Sequence, residues 1–162
     1  MITNNIKDAV VRLMLDVTFQ PDKSLIVAYD PGMNTGMAVC QTDETTFEVS
    51  GACVVPWECR FTISSAFMYF RPAVIVVESF HLYKNKAMVQ AGSPMWSSQI
   101  IGIIEAYANE QYILNCLHYQ PASQITKVNV DKWRKTYRSP HMLDAIAHAK
   151  LYWIKNIRKE VS

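Results

Sequence analysis

Two short apolar runs each end on a carboxylate. Ser24-Leu25-Ile26-Val27-Ala28-Tyr29 runs into Asp30, with Pro31-Gly32 after it, and Ala73-Val74-Ile75-Val76-Val77 runs into Glu78. Runs rich in Val and Ile read as buried strands, and an acid at the end of such a strand marks an end that opens on a site. Side by side in one sheet, the two strands would bring two carboxylates close together. Like charges in near contact repel, and a cation between them removes the conflict. The chemistry indicated is a divalent-metal site at a sheet edge.

A third stretch carries further candidates. His141, Asp144 and His148 recur at i, i+3 and i+7, so on a helix they fall within an arc of about 60° and share one face. Each residue alone has a plainer reading. Asp30 in Asp-Pro-Gly can cap a turn, Glu78 can be a solvated strand end, and either His can be a surface residue. Asp144 can be a favourable charge near a helix N-terminus. Their convergence from three distant stretches favours the site.

The elements that must position these residues follow from periodicity. Apolar residues at Ile6, Val10, Leu13, Met14 and Val17 predict an amphipathic helix over 4–17, ended by Gln20-Pro21-Asp22. Strands are expected at 24–30, 35–41 and 45–55, the last two joined by the polar turn Thr42-Asp43-Glu44, as an antiparallel meander. A helix over 57–70, a strand over 73–78, a long helix over 86–109 and a fifth strand over 111–119 come next. Ser139-Pro140 starts a last helix running to about residue 158, with Ser as N-cap and Pro at the first helical position. Leu143, Ile146, Ala147 and Ile154 supply its core contacts, and Ala145 and Ala149 let it lie close to the sheet. A meander followed by helix-linked strands implies an α/β fold, a mixed sheet with helices on both faces, and strand 73–78 parallel to strand 24–30. The acids then sit at the strand ends that ligands favour in open α/β sheets.

Composition sets bounds. The chain of 162 residues is half apolar and only 19% charged, which fits one domain with a sizeable core and excludes disorder. No apolar stretch approaches a membrane span, and charges at Lys7, Asp8, Arg12 and Asp16 break any signal-peptide core. Cys40, Cys53, Cys59 and Cys116 lack metal-ligand or disulfide spacing, so free thiols in a reducing compartment are expected. The net charge of +2 is unevenly spread: residues 121–162 hold nine Lys and Arg against three acids. A basic C-terminal quarter on an acidic body suggests a polyanionic partner. Lys127, Lys132, Arg134, Lys135 and Arg138 lead into the last helix and are candidate phosphate contacts. Phe80, Tyr83, Lys84 and Lys86 follow Glu78 and could stack on a base or hold phosphate.

The strand ending in Asp30-Pro31-Gly32, then Thr35-Gly36 and a meander, then Val-Val-Glu78, then His141-x-x-Asp144-Ala145 on a final helix, resembles the RuvC family of Holliday-junction resolvases. The likeness is greatest to the RuvC-like members carried by phages, and it runs from about residue 24 to residue 152. The stretch 85–102, leading into Ile103-Ile104-Glu105-Ala106, is similar to the family's long helix, in which Gly102 would allow close packing. The resemblance implies a ribonuclease H-like fold with a five-stranded mixed sheet over 23–162, preceded by a helical extension at 1–22. It implies a structure-specific endodeoxyribonuclease that cuts four-way junctions and leaves 5′-phosphate and 3′-hydroxyl ends. It makes Asp30, Glu78 and Asp144 metal-binding carboxylates.

His141 falls where many members of the family carry another Asp and some carry His; a neutral imidazole lowers the site's negative charge by one, which either weakens metal affinity or favours a softer ion such as Mn²⁺. Mg²⁺ is the expected ion, with Mn²⁺ able to substitute. Two ions per site are expected, with Asp30 bridging them, Glu78 serving one, and Asp144 and His141 the other. His141 could instead act as general base. The segment Ile125-Thr126-Lys127 departs from the Lys pair common in bacterial members. A homodimer matched to the two-fold symmetry of a junction is expected, acting in the cytoplasm of a bacterium or phage-infected host. The rival readings are a nuclease of the same fold acting on flaps or other branched DNA, and a non-catalytic junction-binding protein.

Overall fold

The computed structural model describes residues 4–79, 95–111 and 114–159. A five-stranded sheet is built from β1 (Ser24–Asp30), β2 (Asn34–Thr42), β3 (Phe47–Pro56), β4 (Val74–Ser79) and β5 (Leu117–Pro121), in the order β3-β2-β1-β4-β5. β1, β2 and β3 form the expected antiparallel meander, and β4 and β5 add to β1 in parallel. Helices α1 (Asn4–Asp16), α2 (Thr62–Phe70), α3 (Trp96–Glu110) and α4 (Pro140–Asn156) complete the fold, which is ribonuclease H-like. No helix among the described residues is long and apolar enough to cross a membrane.

Alternation along the strands divides the core in two. Leu25, Val27, Tyr29, Ile75 and Val77 point to the face covered by α1, α2 and α3, where Val10, Leu13, Ile63, Phe67, Ile100 and Ile104 pack. Ile26, Ala28, Ala38, Cys40 and Val76 point to the other face, against Leu143, Ile146, Ala149 and Trp153 of α4. The same alternation carries Asp30, Glu78 and Gln120 onto the face of α4. All four cysteines are free thiols.

Four expectations are corrected. The fifth strand starts at Leu117, because Leu114–Cys116 forms a short 3-10 turn, and it ends at Pro121. The segment 57–70 is broken, with a 3-10 turn at Trp57–Cys59 before α2. Ile154 is exposed rather than core, since the sheet-facing side of α4 is filled by Leu143, Ile146 and the alanines. Among the described residues Gly102 packs against nothing, and a Cβ there would meet none of them. It lies on the outward side of α3, while Ile100, Ile104 and Ala108 face the core. Of the predicted 86–109 helix, the part before Met95 lies outside the described residues.

Candidate active site

The register places the two strand-end acids as neighbours. Tyr29 of β1 pairs with Val77 of β4, so Asp30 and Glu78 are each the next residue along adjacent parallel strands. β4 in turn pairs Glu78 with Gln120 of β5. Asp30, Glu78 and Gln120 therefore form a row across the C-terminal ends of three strands.

The turn after Asp30 is held locally. The Thr35 hydroxyl donates to the Gly32 carbonyl at 3.0 Å and accepts from the Gly32 N–H at 3.3 Å, which closes Asp-Pro-Gly-x-x-Thr into a loop. Ser97 on α3 donates to the Pro31 carbonyl at 2.7 Å, and Trp96 packs on Trp57 at 4.4 Å between ring centroids. Gly32 needs neither space nor a positive φ: a Cβ there would make ordinary contact with the Asn34 backbone, with its oxygen at 3.6 Å and its nitrogen at 3.9 Å. Gly36 is the glycine that matters. A Cβ at Gly36 would stand 1.9 Å from the His141 carbonyl oxygen, so the first turn of α4 reaches the sheet only because position 36 has no side chain.

Helix α4 delivers the remaining groups. Pro140 occupies its first turn and Ser139 its N-cap position with extended backbone, although the Ser139 hydroxyl makes no capping hydrogen bond. His141 Nδ1 lies 2.8 Å from Asp30 Oδ2. Two turns on, His148 is completely buried, with Nε2 3.0 Å from Glu78 Oε2 and Nδ1 3.1 Å from Gln120 Oε1. Each strand-end acid is thus held by one imidazole of α4. Asp144 lies between the two histidines on the same face.

The electrostatics bind the acids into one cluster. Burial pushes the Asp30 carboxyl up to about 6; its hydrogen bond with His141 opposes this, and the charges of Glu78 and Asp144 add to the rise. Asp144 is also raised, by burial and then by Glu78, against the opposing charges of His148, His141 and Arg134. Mutually destabilised carboxylates are hard oxygen donors of the kind that bind Mg²⁺ or Mn²⁺. The donor chemistry fits such an ion. Among the described residues, however, no three His, Cys, Asp or Glu side chains converge as a ready coordination group; Asp30 and Glu78 are turned towards their histidines.

Of the proposed phosphate contacts, Lys127, Lys132, Arg134, Lys135 and Arg138 are all exposed in the stretch leading from β5 to α4. Arg134 is paired with Asp131 at 2.8 Å, and Lys132 sits over the Trp133 ring at 4.3 Å. Phe80, Tyr83, Lys84 and Lys86 lie outside the described residues. Gln120 and Gly36 were not among the site residues legible in the sequence. A polar residue closing an apolar strand signals Gln120, as it does Glu78, but the predicted strand stopped one residue short of it.

No protein-family model matches the sequence, and no curated protein is significantly similar to it. Solved structures do resemble it. Thermus thermophilus RuvC in complex with a Holliday junction substrate superposes with a TM-score of 0.57 at 18% identity, over 83% of this chain and 98% of that one. This chain has the RuvC fold. RuvC from the same organism in a second structure gives 0.56 at 18% identity, with the same coverage. The Fowlpox virus resolvase with its Holliday junction DNA gives 0.56 at 13% identity, over 80% of this chain and 99% of that one. The likeness spans nearly the whole of each of these chains, and at these identities it establishes the fold.

Proposed function

We propose that this protein is a divalent-metal-dependent endonuclease that resolves four-way DNA junctions. The observation that carries the reading is the gathering of Asp30, Glu78 and Asp144 at one end of the sheet in a RuvC fold, with His141 and His148 holding two of them. The structural neighbours solved with Holliday junction substrates support the substrate class.

In this reading Asp30, Glu78, Asp144 and His141 hold the metal, Mg²⁺ or Mn²⁺. Divalent ions there would supply an activated water and charge relief at the leaving oxygen. The protein's own groups divide the remaining work. His148 uses both ring nitrogens on Glu78 and Gln120 and is fully buried, so it orients a carboxylate and cannot exchange protons with substrate. Among the described residues His141 commits only Nδ1, to Asp30, and its side chain is 43% exposed. Its Nε2 is left to bind an ion or to take a proton from the attacking water. The exposed cations at 127, 132, 134, 135 and 138, with Phe80, Tyr83, Lys84 and Lys86, are assigned to the DNA backbone and bases. A homodimer would supply the paired sites that a two-fold junction requires, with residues 23–162 as the nuclease domain and 1–22 as its extension.

The test is cleavage of a four-way junction by purified protein with Mg²⁺ or Mn²⁺. Paired, symmetric nicks support the proposal. Equal cutting of linear duplex removes junction specificity, and preferred cutting of flaps or forks selects the broader branched-DNA nuclease. Binding of junctions with no cutting under either metal selects the non-catalytic protein.

A further inference from the structure

A groove of about 640 Å³ runs between the C-terminal half of α4 and the 3-10 turn Ala122–Lys127 with its following residues. Ser123, Thr126 and Lys127 line one wall, and Lys150, Lys155 and Arg158 line the other. We propose that this groove is a second phosphate-binding surface that holds a duplex arm of the DNA away from the point of cleavage. The inference rests on the nuclease reading and extends it from Lys127 to Lys150, Lys155 and Arg158, which that reading leaves unused.

The charge balance is the first argument. Lys150 Nζ donates to the Asn129 carbonyl at 2.7 Å and Lys155 Nζ to the Gln124 side-chain oxygen at 3.0 Å. Both partners are neutral. Among the described residues none of Lys127, Lys150, Lys155 or Arg158 is paired with an acid, whereas the neighbouring Lys159 is paired with Glu44. Burial, then the positive charges of Lys132 and Arg158, push the Lys150 ammonium below its usual range. Like charges crowded around a groove without counter-charge are the electrostatic footprint of a polyanion.

Shape and position choose the form of the polyanion. Trp133 and Trp153, the aromatic residues beside the cations, are buried at 8% and 7% exposure. They offer no face on which unpaired bases could stack, so the groove suits a duplex backbone better than a single strand. Lys150 and Lys155 follow Asp144 by six and eleven helical residues, which places them roughly 9 and 16 Å along the axis from it. For a duplex running along α4 from a phosphate held at Asp144, at about 3.4 Å per base pair, that is roughly three to five base pairs. The groove therefore addresses an arm and not the crossover itself.

The experiment measures junction binding by fluorescence anisotropy, without divalent ions, across a salt series. Lys155→Gln/Arg158→Gln neutralises two exposed cations, Lys150→Gln removes a single one, and Lys159→Gln is a control matched in charge to the Lys150 variant. Junctions carry arms of about 15 or roughly 4 base pairs, the shorter ending near the groove. Losing two phosphate contacts should lower the slope of log affinity against log salt by about 1.8. Between about 50 and 200 mM salt the wild type should then lose roughly tenfold more affinity than the double variant on long arms. On short arms the two should match. A double variant with the slope and affinity of Lys159→Gln on long arms overturns the groove. Wild-type protein that binds duplex arms in this salt-dependent way but never cuts a junction overturns the nuclease reading and keeps the groove. Protein that binds neither duplex nor junction overturns both.

Discussion

His148 holds Glu78: the Nε2 of a fully buried imidazole lies 3.0 Å from the carboxylate, and Nδ1 is taken by Gln120 on the next strand. The ring spans the ends of β4 and β5 and fixes the direction of an acid that would otherwise rotate freely at a strand terminus. His148→Ala strands both partners, at a cost of about 1–3 kcal/mol for the unmatched polar groups. Cleavage should fall about 10- to 100-fold, as expected when a group that orients a metal ligand is lost. His148→Gln keeps a donor for Glu78 and should recover part of that loss. Single-turnover cleavage with parallel melting curves checks both, and wild-type rates in His148→Ala would refute the positioning role.

Asp30 carries a stability cost that function accounts for. Its folded pKa of about 6 lies above the ordinary 3.8, so the native state binds this proton more tightly than the unfolded chain does. Stability from this group is present at acid pH and is lost as pH rises from about 4 to 6. At pH 8 the cost is about 1–3 kcal/mol. Asp30→Asn should therefore melt higher than wild type at pH 8 without divalent ions, converge with it near pH 4, and bind junctions without cutting them. A lower melting point for Asp30→Asn at pH 8 would show that the His141 hydrogen bond outweighs burial.

Gly36 sets the seat of α4. Because a Cβ there would stand 1.9 Å from backbone of His141, Gly36→Ala must displace the helix turn that carries His141 and Asp144. Overpacking of this kind costs about 1–3 kcal/mol, and the displacement should remove most cleavage. Gly32→Ala meets only ordinary contact and should leave the melting temperature nearly unchanged. Comparing the two melts is the measurement. Equal, small effects would mean that α4 can shift without consequence.

His141 makes metal choice testable. Cleavage should disappear with a chelator and return with Mg²⁺ or Mn²⁺. His141→Asp adds a hard, negative donor and should lower the Mg²⁺ concentration needed for half-maximal cutting, moving the preference from Mn²⁺ towards Mg²⁺. His141→Gln removes the proton acceptor, and loss of rate at saturating metal would assign His141 to proton transfer. An unchanged Mg²⁺ requirement in His141→Asp would take His141 out of the ligand set.

Short-range pattern was enough to read much of this protein. Val- and Ile-rich runs marked β1 and β4 and put Asp30 and Glu78 at their ends, and helical spacing aligned His141, Asp144 and His148. These are local regularities of 2.0 and 3.6 residues, and they survive without knowledge of the partner. The broken segment 57–70 and the late start of β5 escaped, because 3-10 turns carry no apolar period.

Tertiary packing decided the rest. Glu78 meets His148, and Gln120 joins them, only because β5 pairs with β4 in one register. Gly36, and not Gly32 or Gly102, proved to be the close approach, since contact between residues more than a hundred positions apart leaves no periodic trace. The acids at the strand ends were written in the local order of residues. Which imidazole each acid faces was settled by how the last helix lies across the sheet.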